Sequence, residues 1–251
     1  NTRYTPIQLL RMYLTGQAAE AYYFVPLLIS FYLLSPLLIR LANWNWKFLL
    51  IITAFLQFFT KLADYPIIIG VNLPFIPLFS FINSGWFFIG HVFWFSFGMV
   101  IGIRQNETKE FFHRIRWFLL VISIVLFIAG IIEWEWLLFQ SGKPWIGPHE
   151  TLVDNLYSFA ILSAFIGFLH VRIPLSKKLE ELGSKSFGIF LAHSIFLILA
   201  ARGIYHFLPP LLAFPIIFFV ILVIVGLAIP LILMKMTKNS FLKPIYTYLF
   251  G

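Results

Sequence analysis

At 251 residues, 61% hydrophobic and only 11% charged, this chain lies outside the range of ordinary soluble domains, in which about 25% of residues are charged. It has no cysteine, which excludes disulfides and thiolate metal sites. Its +8 net charge suits loops that meet anionic lipid better than nucleic acid, because no basic patch lies on a soluble fold; no nucleic-acid partner is expected.

Long uncharged runs alternate with short loops. Residues 21–39, 65–103, 117–132, 155–171, 186–201 and 203–234 contain no Asp, Glu, Lys or Arg. A helix needs about 20 apolar residues to cross a hydrocarbon core of about 30 Å. Helices that are apolar all round do not suit a soluble domain. The pattern predicts an all-α polytopic transmembrane helix bundle, a single domain over residues 1–251, with the lipid bilayer as its first partner.

The expected spans, in chain order, are 21–41, 44–61, 85–103, 117–134, 151–171, 186–205 and 211–235. In the first, Pro26 and Pro36 predict kinks. In the second, Lys47 reaches for the membrane surface. Residues 65–84 hold Pro66, Gly70, Asn72, Pro74, Pro77 and Asn83, too many breakers for a straight span. They read as an outer loop or a re-entrant segment covered by the bundle. Gly90, Gly98 and Gly102 are expected to let helices approach closely. Residues 107–116 read as an interfacial helix with Phe111 and Phe112 toward lipid. Residues 176–183 read as a short helix capped by Ser176 and stopped by Gly183, with Ser184 or Ser186 capping the next span. Residues 1–20 are polar and lack the apolar core of a signal peptide.

Loop charge sets the expected orientation. Arg40, Lys47, Arg104, Lys109, Arg114, Arg116, Arg172, Lys177, Lys178, Lys185, Lys235, Lys238 and Lys243 fall on one side, 13 of the 18 basic residues. Arg3, Arg11, Lys61, Lys143 and Arg202 fall on the other. The excess marks the cytoplasmic face, so Asn1 is expected outside and Gly251 inside.

Ionisable residues within spans are costly and are functional candidates by default. His193 is the best placed, about two turns into an uncharged run; it reads either as a general base or as a helix-packing histidine. His91 is a second ionisable residue within a span. Glu20, Asp64, Glu133, Glu135, Glu150 and Asp154 gather on the outer side, where carboxylates suit a polar acceptor such as a sugar, or stand as solvated loop charges. His170, beside Arg172, reads as a headgroup contact. No metal-ligand spacing occurs, and neither GxSxG nor a P-loop is present.

Three segments together resemble the integral-membrane acyltransferase family 3. The first runs from Leu14-Thr-Gly through Tyr22-Tyr-Phe-Val-Pro26 to Leu34-Ser-Pro-Leu-Leu38. The second is Phe93-Trp-Phe-Ser-Phe-Gly-Met-Val-Ile-Gly102. The third is Leu182-Gly-Ser-Lys-Ser-Phe-Gly-Ile-Phe-Leu-Ala-His193, with His193 on the family's histidine, Phe190 where Tyr is usual and Ser194 where Pro is usual. The resemblance covers nearly the whole chain. It implies a ten-helix bundle with a cytoplasmic N-terminus, of which this chain is the part after the third helix, and a multi-pass protein of the bacterial plasma membrane. It implies transfer of an acetyl or succinyl group from acyl-CoA, a donor substrate rather than a tightly bound cofactor, to a sugar of an envelope or extracellular polysaccharide. The nearest resemblance is to the Gram-positive branch that modifies the polysaccharide intercellular adhesin. His193 is the expected catalytic residue, and His91, Glu20 and Asp154 are expected to bind substrate. The family's first-helix Arg and His have no counterpart in this chain. The alternative is a polysaccharide exporter, which would need several buried charges along a path. A retinal protein is excluded because residues 211–234 hold no Lys.

Overall fold

Uncharged runs without breakers become long helices here, and runs rich in Pro, Gly and Asn become short ones. The structure is a computed structural model that describes residues 5–16, 20–71, 74–146, 150–171 and 174–240, with Pro244, Tyr246 and Phe250. In chain order the helices are α1 (Pro6–Leu14), α2 (Phe24–Leu62), α3 (Asp64–Ile69), α4 (Ile76–Ile82), α5 (Val92–Ile103), α6 (Gln105–Ser141), α7 (Leu152–Gly167), α8 (Ser176–Ser184), α9 (Ser186–Phe207) and α10 (Pro215–Lys238). No strand occurs among the described residues. Four stretches are long and apolar enough to cross a membrane: Ala21–Ile69, Gln105–Ser141, Ser186–Phe207 and Pro215–Lys238. The first of these contains two expected spans, and Phe88–Ile103 and Leu152–Gly167 are shorter apolar helices. Helices therefore stand at all seven expected positions. Their surfaces carry exposed Phe118, Val121, Ile124, Ile128 and Ile131 along α6 and Ile216, Phe219, Val223 and Leu227 along α10, the exposure of a protein whose solvent is lipid.

The chain forms two compact units, Val25–Arg172 and a second made of Asn1–Phe24 with Ile173–Gly251. In the larger unit, α2 is two helices joined at Asn45, whose φ of −157° and ψ of 94° are extended. The Asn45 side chain accepts a hydrogen bond from Phe48 N at 3.1 Å and so caps the second helix. Phe31 stacks on Phe95 at 4.5 Å, while Gln57 accepts from Phe93 N at 3.2 Å. Residues 31 and 57 would be about 39 Å apart along a straight helix. Meeting residues two apart on α5, they show that the chain folds back at Asn45. Pro26 and Pro36 both lie within α2, whose one non-helical residue is Asn45; the break lies where a capping Asn satisfies the new helix start.

Leu38, Ala42, Leu49 and Val100 form one buried cluster beside the fold-back. Phe97, Phe112, Leu119 and Ala164 form a second. Residues 105–116 are not a separate interfacial helix but the first turns of α6, which at 37 residues is about 55 Å long. Gly167 permits the α6–α7 contact, since a Cβ there would lie 2.6 Å from the Phe112 carbonyl oxygen and 2.8 Å from Arg116 Cβ. Gly98 and Gly102, expected at close approaches, have no atom within 4 Å of an added Cβ. Residues 64–82 form α3 and α4, two short helices separated at Gly70, whose φ is +82°. That is the broken segment the Pro and Gly density predicts.

In the smaller unit, α9 and α10 run antiparallel, with Gly188 against Met234 and Gly226 against Leu197. α1 begins at a reciprocal cap, in which Thr5 Oγ1 accepts from Gln8 N and Gln8 Oε1 accepts from Thr5 N. Gly16 has φ +68°, and a Cβ there would collide with the Tyr22 carbonyl, so the Thr15-Gly16 pair needs its glycine. The α8 helix exists, but Leu175 stands at its N-cap with φ 65°, Ser176 is already helical, and Lys185 precedes α9 without a side-chain cap. Phe24 packs on Phe187 at 6.2 Å and Phe190 at 5.4 Å. Alternation by loop charge would put Phe24 and Phe187 at opposite membrane faces, and the structure puts them together. Loop charge orients segments that span, whereas Phe24 and the turn before it, Glu20–Tyr23, are placed by burying aromatic rings against α9.

Candidate functional site

The larger unit gathers its polar side chains at the end opposite the fold-back. Gln57, Lys61 and Asp64 recur at i, i+4 and i+7, one face of the chain leaving α2. Their partners come from distant segments. Gln57 Nε2 donates to Asn155 Oδ1 at 2.7 Å, and Trp94 Nε1 donates to the same oxygen at 3.0 Å. Asn155 Nδ2 donates to the Thr151 carbonyl at 2.9 Å. Lys61 Nζ pairs with Glu150 Oε2 at 2.7 Å; the Lys61 side chain is 5% exposed and the Glu150 side chain 55%. His91 Nδ1 lies 3.9 Å from that same carboxylate oxygen, with its side chain 15% exposed. Asn83 Nδ2 donates to Asp64 Oδ1 at 2.7 Å and to the Thr60 carbonyl at 2.9 Å. Its own Oδ1 is buried without a partner. Tyr65 donates to Glu133 Oε1 and accepts from Leu152 N, while Thr151 donates to Glu133 Oε2 at 2.5 Å.

This end is therefore a connected polar surface, not a scatter of solvated charges. A buried ammonium is tolerated because Glu150 meets it. Burial alone would raise the Glu150 carboxyl, but Lys61, with His91 beside it, holds it below the ordinary carboxylate range. At the half-exposed edge stand the Glu150 carboxylate and the His91 imidazole, while Asn83 Oδ1 stays buried.

His193 lies in the smaller unit, half-buried in α9. Its Nδ1 is 2.6 Å from the Phe190 carbonyl oxygen, and its ring contacts the Phe190 ring at 5.7 Å. A carbonyl only accepts, so Nδ1 donates there and Nε2 is left outside that bond. The ring is oriented by a carbonyl of its own helix.

The sequence candidates separate accordingly. His91 enters the polar network. Asp154 is exposed in the first turn of α7, where its charge meets the positive end of the helix dipole, and among the described residues it has no contact with His91. The Glu20 side chain and His149 lie outside the described residues. Lys61, Gln57, Asn155, Asn83 and Tyr65 are central here and were not singled out by sequence; the i, i+4, i+7 spacing of Gln57, Lys61 and Asp64 was the available signal. No group of three His, Cys, Asp or Glu side chains is placed to hold a metal among the described residues.

No match was found among curated proteins or among solved structures. A family model described as an acyltransferase domain, that of the acyltransferase 3 family, matches residues 4–235. That span takes in the three resembling segments, the polar end of the larger unit and His193, and the chain belongs to the acyltransferase 3 family of membrane proteins.

Proposed function

We propose that this protein transfers an acetyl or succinyl group from acyl-CoA to a sugar hydroxyl of an envelope or extracellular polysaccharide, in the bacterial plasma membrane. The observation that carries this reading is the 2.6 Å contact of His193 Nδ1 with the Phe190 carbonyl, which leaves Nε2 as the ring atom for proton transfer. Nε2 accepts the proton of the attacking hydroxyl, the sugar oxygen bonds to the thioester carbonyl carbon, and the C–S bond breaks. The proton then passes to the departing CoA thiolate. The products are an O-acyl sugar and free CoA. Within the larger unit, taken by itself, His91 and Glu150 are groups of the kind that hydrogen-bond a polyhydroxyl ligand; His91, Glu20 and Asp154 stand as separate substrate-binding candidates. On this reading the chain resembles the Gram-positive branch that modifies the polysaccharide intercellular adhesin.

The test is acyl transfer from radiolabelled acetyl-CoA or succinyl-CoA to polysaccharide in membranes carrying the protein. Label in an alkali-labile ester on the glycan is expected. Glycan exported at wild-type levels but never esterified would refute acyl transfer and favour the exporter.

A further inference from the structure

The opposite end of the larger unit carries a second cluster that acyl transfer does not use. Lys109, His113 and Arg116 recur at i, i+4 and i+7 on one face of α6. His113 Nδ1 is 3.2 Å from the Gly167 carbonyl oxygen at the end of α7. Arg116 Nη1 lies against the same ring, 2.8 Å from Nδ1 and 3.0 Å from Nε2. The guanidinium also lies over the rings of Trp117 at 5.9 Å and Phe168 at 5.4 Å. The His170 ring meets the His113 ring edge-on at 5.4 Å.

The acids of this stretch are already taken. Glu107 pairs with Arg104 at 3.1 Å, and Glu110 pairs with Arg114 at 2.6 Å. Among the described residues no carboxylate faces Arg116 or Lys109. Two positive groups thus share one face of α6, about two turns apart, with no acid among the described residues to take up the Arg116 donor fork. Arg116 is also the last charge before the uncharged run 117–132, which places it at headgroup depth. Under the guanidinium lies Trp117, which is 61% exposed, and Leu169 and Val171, which follow Phe168 in the chain, are exposed apolar residues. A free phosphate needs only the cations; an anionic phospholipid also needs apolar surface for its chains.

The geometry points to a binding site for the phosphodiester headgroup of an anionic phospholipid at Arg116 and Lys109, with its acyl chains along Trp117 and Phe168. The probe is phosphatidylglycerol against phosphatidylcholine, each added to the purified chain in detergent, with retained lipid read by native mass spectrometry. Phosphatidylglycerol is expected to be retained preferentially, and Arg116→Gln and Lys109→Gln are each expected to cut that preference about fivefold, the equivalent of about 1 kcal/mol per basic residue. Arg114→Gln, which removes a residue already paired with Glu110, is expected to leave the preference unchanged. Equal preference in wild type, Arg116→Gln and Lys109→Gln would overturn the site. Displacement of the lipid by inorganic phosphate would overturn the lipid assignment in favour of a soluble phosphate. Should Arg116→Gln fail to fold, Lys109→Gln decides, because among the described residues no ion pair or hydrogen bond of Lys109 would be lost.

Discussion

The two units place the partners of their polar residues differently. In the larger unit, Gln57 and Lys61 bond to Asn155 and Glu150, 98 and 89 residues away in sequence. In the smaller unit, His193 bonds to a carbonyl three residues back in its own helix. Long-range polar bonds within an apolar bundle decide which helices lie together, because each broken bond leaves a group unsatisfied where water does not reach. A local bond orients a ring without holding anything else in place. The first arrangement is architecture with a ligand-ready edge, and the second leaves an atom free for chemistry.

Breaking the long-range bonds should therefore cost stability, and breaking the local one should cost rate. The largest effect is expected at Asn155. Asn155→Ala strands the Gln57 amide and the Trp94 indole N–H together, a loss of about 3 kcal/mol. Thermal unfolding in detergent should show a lower Tm; an unchanged Tm would remove Asn155 from the architecture. Next comes Glu150→Gln, which leaves the Lys61 ammonium buried and unpaired, at about 2 kcal/mol given the half-exposed carboxylate. Lys61→Met removes the buried charge itself and is expected to cost less. The reverse ranking would mean that the pair is not what accommodates Lys61.

His193→Ala is expected to lower acyl transfer at least tenfold, about 1.4 kcal/mol of transition-state stabilisation, with unfolding nearly unchanged. A Tm loss as large as that of Asn155→Ala, with activity per folded protein intact, would make His193 a packing residue. The smallest effect is on pH dependence. A carboxyl held below its ordinary value contributes stability that is complete above the ordinary carboxylate range and is lost as pH falls through the lowered pKa. The acid limb of Tm against pH should flatten in Glu150→Gln, and an unchanged limb would place the acid sensitivity elsewhere.

Much of the fold was legible because lipid imposes simple rules. Uncharged runs marked the helices, and the Pro and Gly density between Tyr65 and Ser84 marked the broken segment. The caps around Ser176 and Ser186 were misread because Ser at a helix start is only a preference; Leu175 adopts the entry conformation instead. The polar network was half legible. Gln57, Lys61 and Asp64 share a helical face in the sequence, but nothing in one sequence says that Glu150 and Asn155 will meet them. His91 was flagged through its place in an apolar run, and Asp154 through its charge, yet only His91 joins the network. Phe24 shows the limit of charge counting, since ring burial against Phe187 and Phe190 leaves no mark in loop charge.

The single extended residue at Asn45 bears on how freely the two halves of α2 can move. One residue leaves no slack between the helix that ends at Trp44 and the helix that begins at Trp46. In the folded protein the first cannot turn or slide without carrying the second, so the two act as one hairpin. Arg40 and Lys47 flank the bend and therefore lie at the same end of that hairpin. A longer linker at Asn45 would uncouple the two helices.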